Sequence, residues 1–299
     1  MQSSFSLWAI GPDAVHTVLQ LMSRNFGKPG DVPMLAHTGA KPSMQGRGND
    51  KIAVIPIHGV LTQDGPAYYG SNYQGIADAV EKAASDPDVK RIILSVDSPG
   101  GEVVGLPETA SVIARAARVK PVSAIVEGTA ASAAYWLASQ ANEVTLTPSG
   151  EVGSVGVRMM HVDMSAMLDK AGYKVTELSA GDFKTEWSPY KPLSDAARAD
   201  MQTRLQASHK DFIAGVAAGR GRRASAAITK SRFGEGRMFS AEDAVFHGLV
   251  DRLQSPRSFM RAAIAGAPPT PSNAATRGTS ADFDLSVIRA RLDLALLRA

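Results

Sequence analysis

The chain has no cysteine, and that absence removes disulfides, zinc–thiolate centres and a thiol nucleophile together. Any nucleophile is then an oxygen or an amine. No window holds the ~18 uninterrupted apolar residues that a membrane-spanning helix needs. The N-terminal stretch lacks a basic start and carries Pro12, Asp13 and His16 where a secretion signal would be continuously hydrophobic, so a soluble, cytoplasmic protein is expected. No H-E-x-x-H pair or similar spacing links the 6 histidines, and no metal site is expected. The glycines of Gly153-Ser-Val-Gly156 do not follow the G-x-G-x-x-G pattern, which argues against a nicotinamide; no cofactor is expected at all. Charged residues make up 20%, under the usual ~25%, and a net charge of +3 is too diffuse for a nucleic-acid partner. The one basic cluster, Arg220-Gly-Arg-Arg223, follows a helical pattern and reads as a solvated loop.

What is present is a chain of 299 residues, 44% apolar, long enough to bury a full core. Three segments are expected. Residues 1–50 read as an N-terminal amphipathic helix, with Val15, Val18, Leu19 and Met22 on one face, followed by an aperiodic Gly/Pro-rich arm. Residues 51–255 carry the main domain. There, apolar runs at Ile52 to Ile57, Arg91 to Val96, Val122 to Val126 and Val144 to Leu146 alternate with helical patterns at Ile76 to Ala84, Leu106 to Ala117 and Ser132 to Gln140. Continuous runs such as Ile92-Ile-Leu94 predict strands covered on both faces, hence a largely parallel sheet in an α/β fold with right-handed crossovers. Further strands are expected at Val155 to Val157 and Val175 to Leu178, then a long helix capped by Ser194 with Met201, Leu205, Phe212 and Val216 in one stripe. Residues 256–299 read as a Pro/Ala-rich linker and a C-terminal amphipathic helix bearing Leu285, Ile288, Leu292 and Leu296.

Chemistry concentrates where strand Val122 to Val126 runs into Glu127-Gly-Thr-Ala-Ala-Ser132 and a helix of small residues. Ser132 sits at the corner, partly exposed, beside first-turn N–H groups that a helix leaves unpaired; such a corner can present a nucleophile and stabilise an oxyanion. The same residue types would also serve a tight helix–sheet contact. A serine hydroxyl needs a base, usually histidine or a neutral lysine. His161, after the Gly-Ser-Val-Gly turn, and Lys184, in the loop Gly181-Asp-Phe-Lys184, are the candidates. Asp97 and Ser98 read as strand-end and turn residues.

Taken together, Asp97-Ser-Pro-Gly-Gly101, Ala130-Ala-Ser-Ala-Ala-Tyr135 and Phe183-Lys184 with Ser188-Pro189 resemble, in order, the glycine turn, nucleophile segment and catalytic-lysine segment of the SppA-type signal peptide peptidases. Gly153-Ser-Val-Gly-Val157 and Gly248-Leu-Val-Asp251 resemble further landmarks of that family, so the resemblance covers about Lys51 to Arg252. It implies a Clp protease/crotonase-like fold built of repeated ββα units in a spiral. It also implies a serine peptidase with Ser132 as nucleophile, Lys184 as general base, and the N–H groups of Gly101 and Ala133 as the oxyanion hole. Glu186 and Trp187 stand where smaller residues are expected.

With neither a membrane anchor nor a doubled domain in the chain, the pattern looks more like the phage head-maturation (prohead) proteases of the same superfamily. The partners then expected are a polypeptide substrate, either a scaffold or capsid protein or a signal peptide, and further copies of the chain in a homo-oligomer. Nucleic acid is not expected, and the place of action would be the host cytoplasm or the prohead. The alternatives are a bacterial signal-peptide or quality-control peptidase, a crotonase-like acyl-CoA enzyme, and a non-enzymatic scaffold.

Overall fold

A computed structural model describes residues 8–10, 41–46, 50–63, 70–221 and 226–268. The helices expected near residues 11–22 and 283–299 lie outside the described residues, as do Arg222 and Arg223. Among the described residues, no helix is long and apolar enough to cross a membrane, and no group of three or more His, Asp or Glu could hold a metal ion.

Two short strands, β1 (Trp8–Ile10) and β2 (Ser43–Gln45), precede the parallel core. That core is β3 (Lys51–Leu61), β4 (Val89–Glu102), β5 (Val122–Ala131) and β6 (Glu143–Leu146), side by side in that order. Each crossover runs through a helix on the same face: α1 (Tyr73–Ser85), α2 (Leu106–Val119) and α3 (Ala133–Ser139). Ile76, Val80 and Ile113 from these helices pack on Ile57, Leu94 and Val96 of the sheet, as the three/four spacing of their apolar residues requires. Asn72 starts α1 by accepting from Gly75 N at 2.6 Å.

On the opposite face, Ile52, Ile93 and Ile125 are covered by Phe259 and Ala263 of the last described helix (Pro256–Ile264). Burying a side chain such as Phe259 contributes about 1.5–3 kcal/mol. The strands are therefore apolar on both faces, which is why they read as continuous runs.

The core strands are longer than their apolar runs because their C-terminal ends enter a second set of pairings. Register shifts fall between His58 and Val60 and between Val96 and Ser98. Past them β3 and β4 stay paired, Val60 opposite Gly100 and Leu61 opposite Gly101, while β5 moves away from β4 after Ala130. Its end, Thr129 to Ala131, pairs with β7 (Glu151–Gly153), which continues antiparallel into β8 (Met238–Ser240). Where the ladder opens, the Asp97 carboxylate accepts from Thr129 N at 3.0 Å and stands in for the missing strand partner. A Cβ on Gly128 would come within 2.7 Å of that carboxylate. Ser98 Oγ donates to Gly59 O at 2.6 Å and accepts from Gly100 N at 3.1 Å, so both residues act as strand-end and turn residues.

After β7 the chain makes a long excursion containing the short helix α4 (Ser165–Lys170) and returns in α5 (Asp195–Arg220), capped by Ser194 Oγ on Ala197 N at 3.1 Å. The Phe212 ring stacks on Trp136 of α3 with centroids 4.9 Å apart. Beside it, a Cβ on Gly215 would overlap the indole. Then come α6 (Ala226–Arg232), α7 (Ala241–His247), β9 (Arg252–Leu253) parallel to β6, and α8, the Pro256–Ile264 helix on the sheet's second face.

Three expectations need correction. The strand placed at Val155 to Val157 lies earlier, at Glu151–Gly153, and Val155 is buried without strand pairing. Val175 to Leu178 is no strand: the segment is exposed and pairs with no strand among the described residues. Arg220 is not solvated. Its guanidinium is buried and grips both carboxylate oxygens of Asp251, at 3.1 and 2.8 Å, and Gly248 O at 3.1 Å.

Candidate active site

Ser132 follows directly on β5 and caps α3 with φ 54° and ψ −119°, a conformation a non-glycine residue adopts only when its surroundings impose it. The imposing contacts are identifiable. Ser132 N donates to Gly153 O at 2.8 Å, and its own carbonyl accepts from Trp136 N at 3.0 Å, the first bond of the helix. Among the described residues only Ser132, Ser154 and Glu235 combine a side chain with positive φ, and Ser154 adjoins the carbonyl that holds Ser132. Two strained residues thus meet at one point, as is common where a side chain is aimed for chemistry. The Ser132 hydroxyl donates to Gly156 O at 3.2 Å. The expectation of a partly exposed serine is corrected: Ser132 has no exposed surface.

Ala133 is the first residue of α3, so its N–H lies in the turn where a helix cannot supply a partner. Gly101 lies on the neighbouring strand β4. Ser98 is registered against Ala130, and from that pair β4 runs on to Gly101 as β5 runs on to the serine corner. The structure gives Gly101 a reason beyond approach to a substrate: a Cβ there would overlap the carbonyl oxygen of Leu61 in β3. Gly101→Ala is therefore expected to push β3 from β4 and lower stability by about 1–3 kcal/mol, seen as a lower melting temperature. An unchanged melt would mean that this approach is not needed for folding.

Lys184 stands apart. It is exposed, in a run of turns where Lys184 N donates to Gly181 O at 3.2 Å, and no hydrogen bond or ion pair joins it to Ser132 within the chain. His161, the other candidate base, bonds through Nε2 to Ser188 O at 3.0 Å; against a carbonyl it donates, and with Met164 N on Pro189 O at 2.7 Å it pins the two ends of the excursion together. Trp187, unexpected in the sequence, receives a role: the Arg204 guanidinium of α5 lies 4.8 Å from its ring centroid. The excursion itself exposes much apolar surface, with Leu178 93%, Phe183 76%, Tyr173 65% and Met167 59% exposed.

The serine corner and the lysine segment both fall inside the stretch matched by the model of peptidase family S49, residues 114–266, about half the chain. The chain belongs to peptidase family S49. Membership agrees with the observed βα sheet and with the Clp protease/crotonase-like class expected for it. Gly101 lies outside the matched stretch. The capsid assembly protease C of Escherichia phage lambda is 35% identical over 206 residues, 68% of this chain and 46% of that one. The head-tail preconnector protein GP5 of Enterobacteria phage P21 is 33% identical over 238 residues, 76% of this chain and 46% of that one. Protease 4 of Salmonella typhi is 33% identical over 205 residues, 68% of this chain and 32% of that one. The chain thus spans about half the length, or less, of these relatives.

Proposed function

We propose that this chain is a serine endopeptidase that cuts extended polypeptides, with the scaffold or capsid proteins of a phage head as its substrates, in the host cytoplasm or the prohead. The observation that carries the reading is Ser132 itself, held at φ 54° between a strand end and a helix start within a peptidase-family match. The likeness to a capsid assembly protease supports the choice of substrate.

In the reaction, Lys184 Nζ takes the Ser132 hydroxyl proton as Oγ, turned away from Gly156 O, attacks the substrate carbonyl carbon. Charge develops on the carbonyl oxygen, where the N–H groups of Gly101 and Ala133 stabilise it. The lysine passes its proton to the leaving amine as the C–N bond breaks. Water, deprotonated by the same lysine, then attacks the acyl-serine ester, and the lysine returns that proton to Ser132 Oγ as the acyl C–O bond breaks.

Lys184 lies exposed on an arm whose apolar side chains lack cover, so we propose that a neighbouring copy of the chain covers the arm and that the dyad is completed in a homo-oligomer. Lys184→Arg is expected to be inactive, because a guanidinium does not give up its proton. Mixing inactive Ser132→Ala with inactive Lys184→Ala should restore turnover, and activity should fall on dilution. An arginine variant with near wild-type turnover refutes the lysine's role; sedimentation of a fully active monomer refutes the assembly.

A further inference from the structure

Beyond its register shift β4 has an edge that β5 leaves, and part of this chain lies along it. Trp8–Ile10 pairs antiparallel with that segment, Trp8 opposite Glu102, Ala9 opposite Gly101 and Ile10 opposite Gly100. The other edge of the same residues is taken by β3, through Val60 and Leu61. Up to Ser98, β4 is occupied by β5, whose paired residue Ala130 stands two residues before Ser132, so the edge opens next to the strand that carries the serine corner. β1 enters opposite Glu102 and runs toward Gly100, the direction that leads to the corner.

From this register we infer that Trp8–Ile10 is a built-in occupant of the peptide-binding edge, a strand of the enzyme's own chain that a substrate strand must displace. The inference rests on the reading of Ser132 as nucleophile and deepens it by naming what competes with substrate. Three residues offer few ladder bonds, so the occupant is weak as well as local. Being on the same chain, it competes at an effective concentration of roughly the mM range. Short or weak peptides are thereby excluded, while a long chain that gains contacts past the cleft displaces it. Addition at a sheet edge relies on main-chain hydrogen bonds, so the competitor tolerates side-chain changes but not loss of its N–H groups.

The test is the double variant Ala9→Pro/Ile10→Pro in the full chain. Alternate N–H groups of a strand point to opposite sides, so two adjacent prolines remove whichever one faces β4. On active protein, KM for a short peptide ester is expected to fall by about tenfold, the factor that one or two ladder hydrogen bonds represent, with kcat little changed. In the Ser132→Ala background, amide hydrogen exchange at Gly100 to Glu102 should quicken. A labelled synthetic peptide of residues Ser6 to Pro12 should bind the proline variant more tightly than its parent, by fluorescence polarisation. Unchanged exchange with equal peptide binding overturns the inference, as does an unchanged KM in active protein. If the parent and the proline variant both lack turnover while exchange and peptide binding change as expected, the occupant stands and the peptidase reading falls.

Discussion

Ser132→Ala is expected to lower turnover of peptide and ester substrates by about 10⁴-fold or more, the scale on which removal of a catalytic serine acts. The fold should survive. The substitution removes one hydroxyl and its hydrogen bond to Gly156 O, worth about 1 kcal/mol, and leaves the bonds of Ser132 N to Gly153 O and of Trp136 N to the residue 132 carbonyl in place. Glycine at the same position separates chemistry from strain. At φ 54° a Cβ is unfavourable, so Ser132→Gly should be equally inactive yet about 1 kcal/mol more stable than Ser132→Ala. Full activity in the purified alanine variant sinks the nucleophile. Equal melting temperatures for the alanine and glycine variants would show that position 132 stores no strain.

The second large effect is on stability. Arg220→Met is expected to remove about 3–5 kcal/mol, because it leaves the Asp251 carboxylate, 4% exposed, without the guanidinium that balances it. In a domain of this size that lowers the melting temperature by about 10 °C. Asp251 also accepts from Val144 N at 2.7 Å, so the damage spreads to the edge of β6. Adding Asp251→Asn, which keeps an acceptor for Val144 and removes the stranded charge, should recover part of the loss. A single variant that melts with wild type would show that the pair contributes nothing net.

That ion pair illustrates why some of the structure was hidden in the sequence. A run such as Ile92-Ile-Leu94 announces a two-sided buried strand by itself, and the βα alternation follows from such local patterns. The partner of Arg220 lies 31 residues away, and only folding brings Asp251 to it. Strand ends were hidden for a related reason: Asp97 to Glu102 and Glu127 to Ala131 are polar or small, and they pair because the sheet splits, which no local period encodes. Val175 to Leu178 has the β-branched and apolar content of a strand but no ladder among the described residues. At the candidate site, Ser132 was legible from its strand-to-helix corner and Lys184 only through family likeness. The part played by Leu61 at Gly101 and the seat of Trp187 on Arg204 depend on residues distant in sequence.

Helix α5 touches both halves of the proposed chemistry. Phe212 and Gly215 clasp Trp136, four residues beyond the serine, and Arg204 holds Trp187, three residues beyond the lysine. These grips stand eight to eleven positions apart along the helix, about 12–17 Å of rigid rod. The rod works as a ruler with one end clamped. Its inner jaw is a glycine–indole contact with no room for a Cβ, and its outer mark is the cation–ring contact from which the lysine segment hangs. In the proposed chemistry, how each chain holds out its serine corner and its lysine segment then depends on contacts that neither Ser132 nor Lys184 makes.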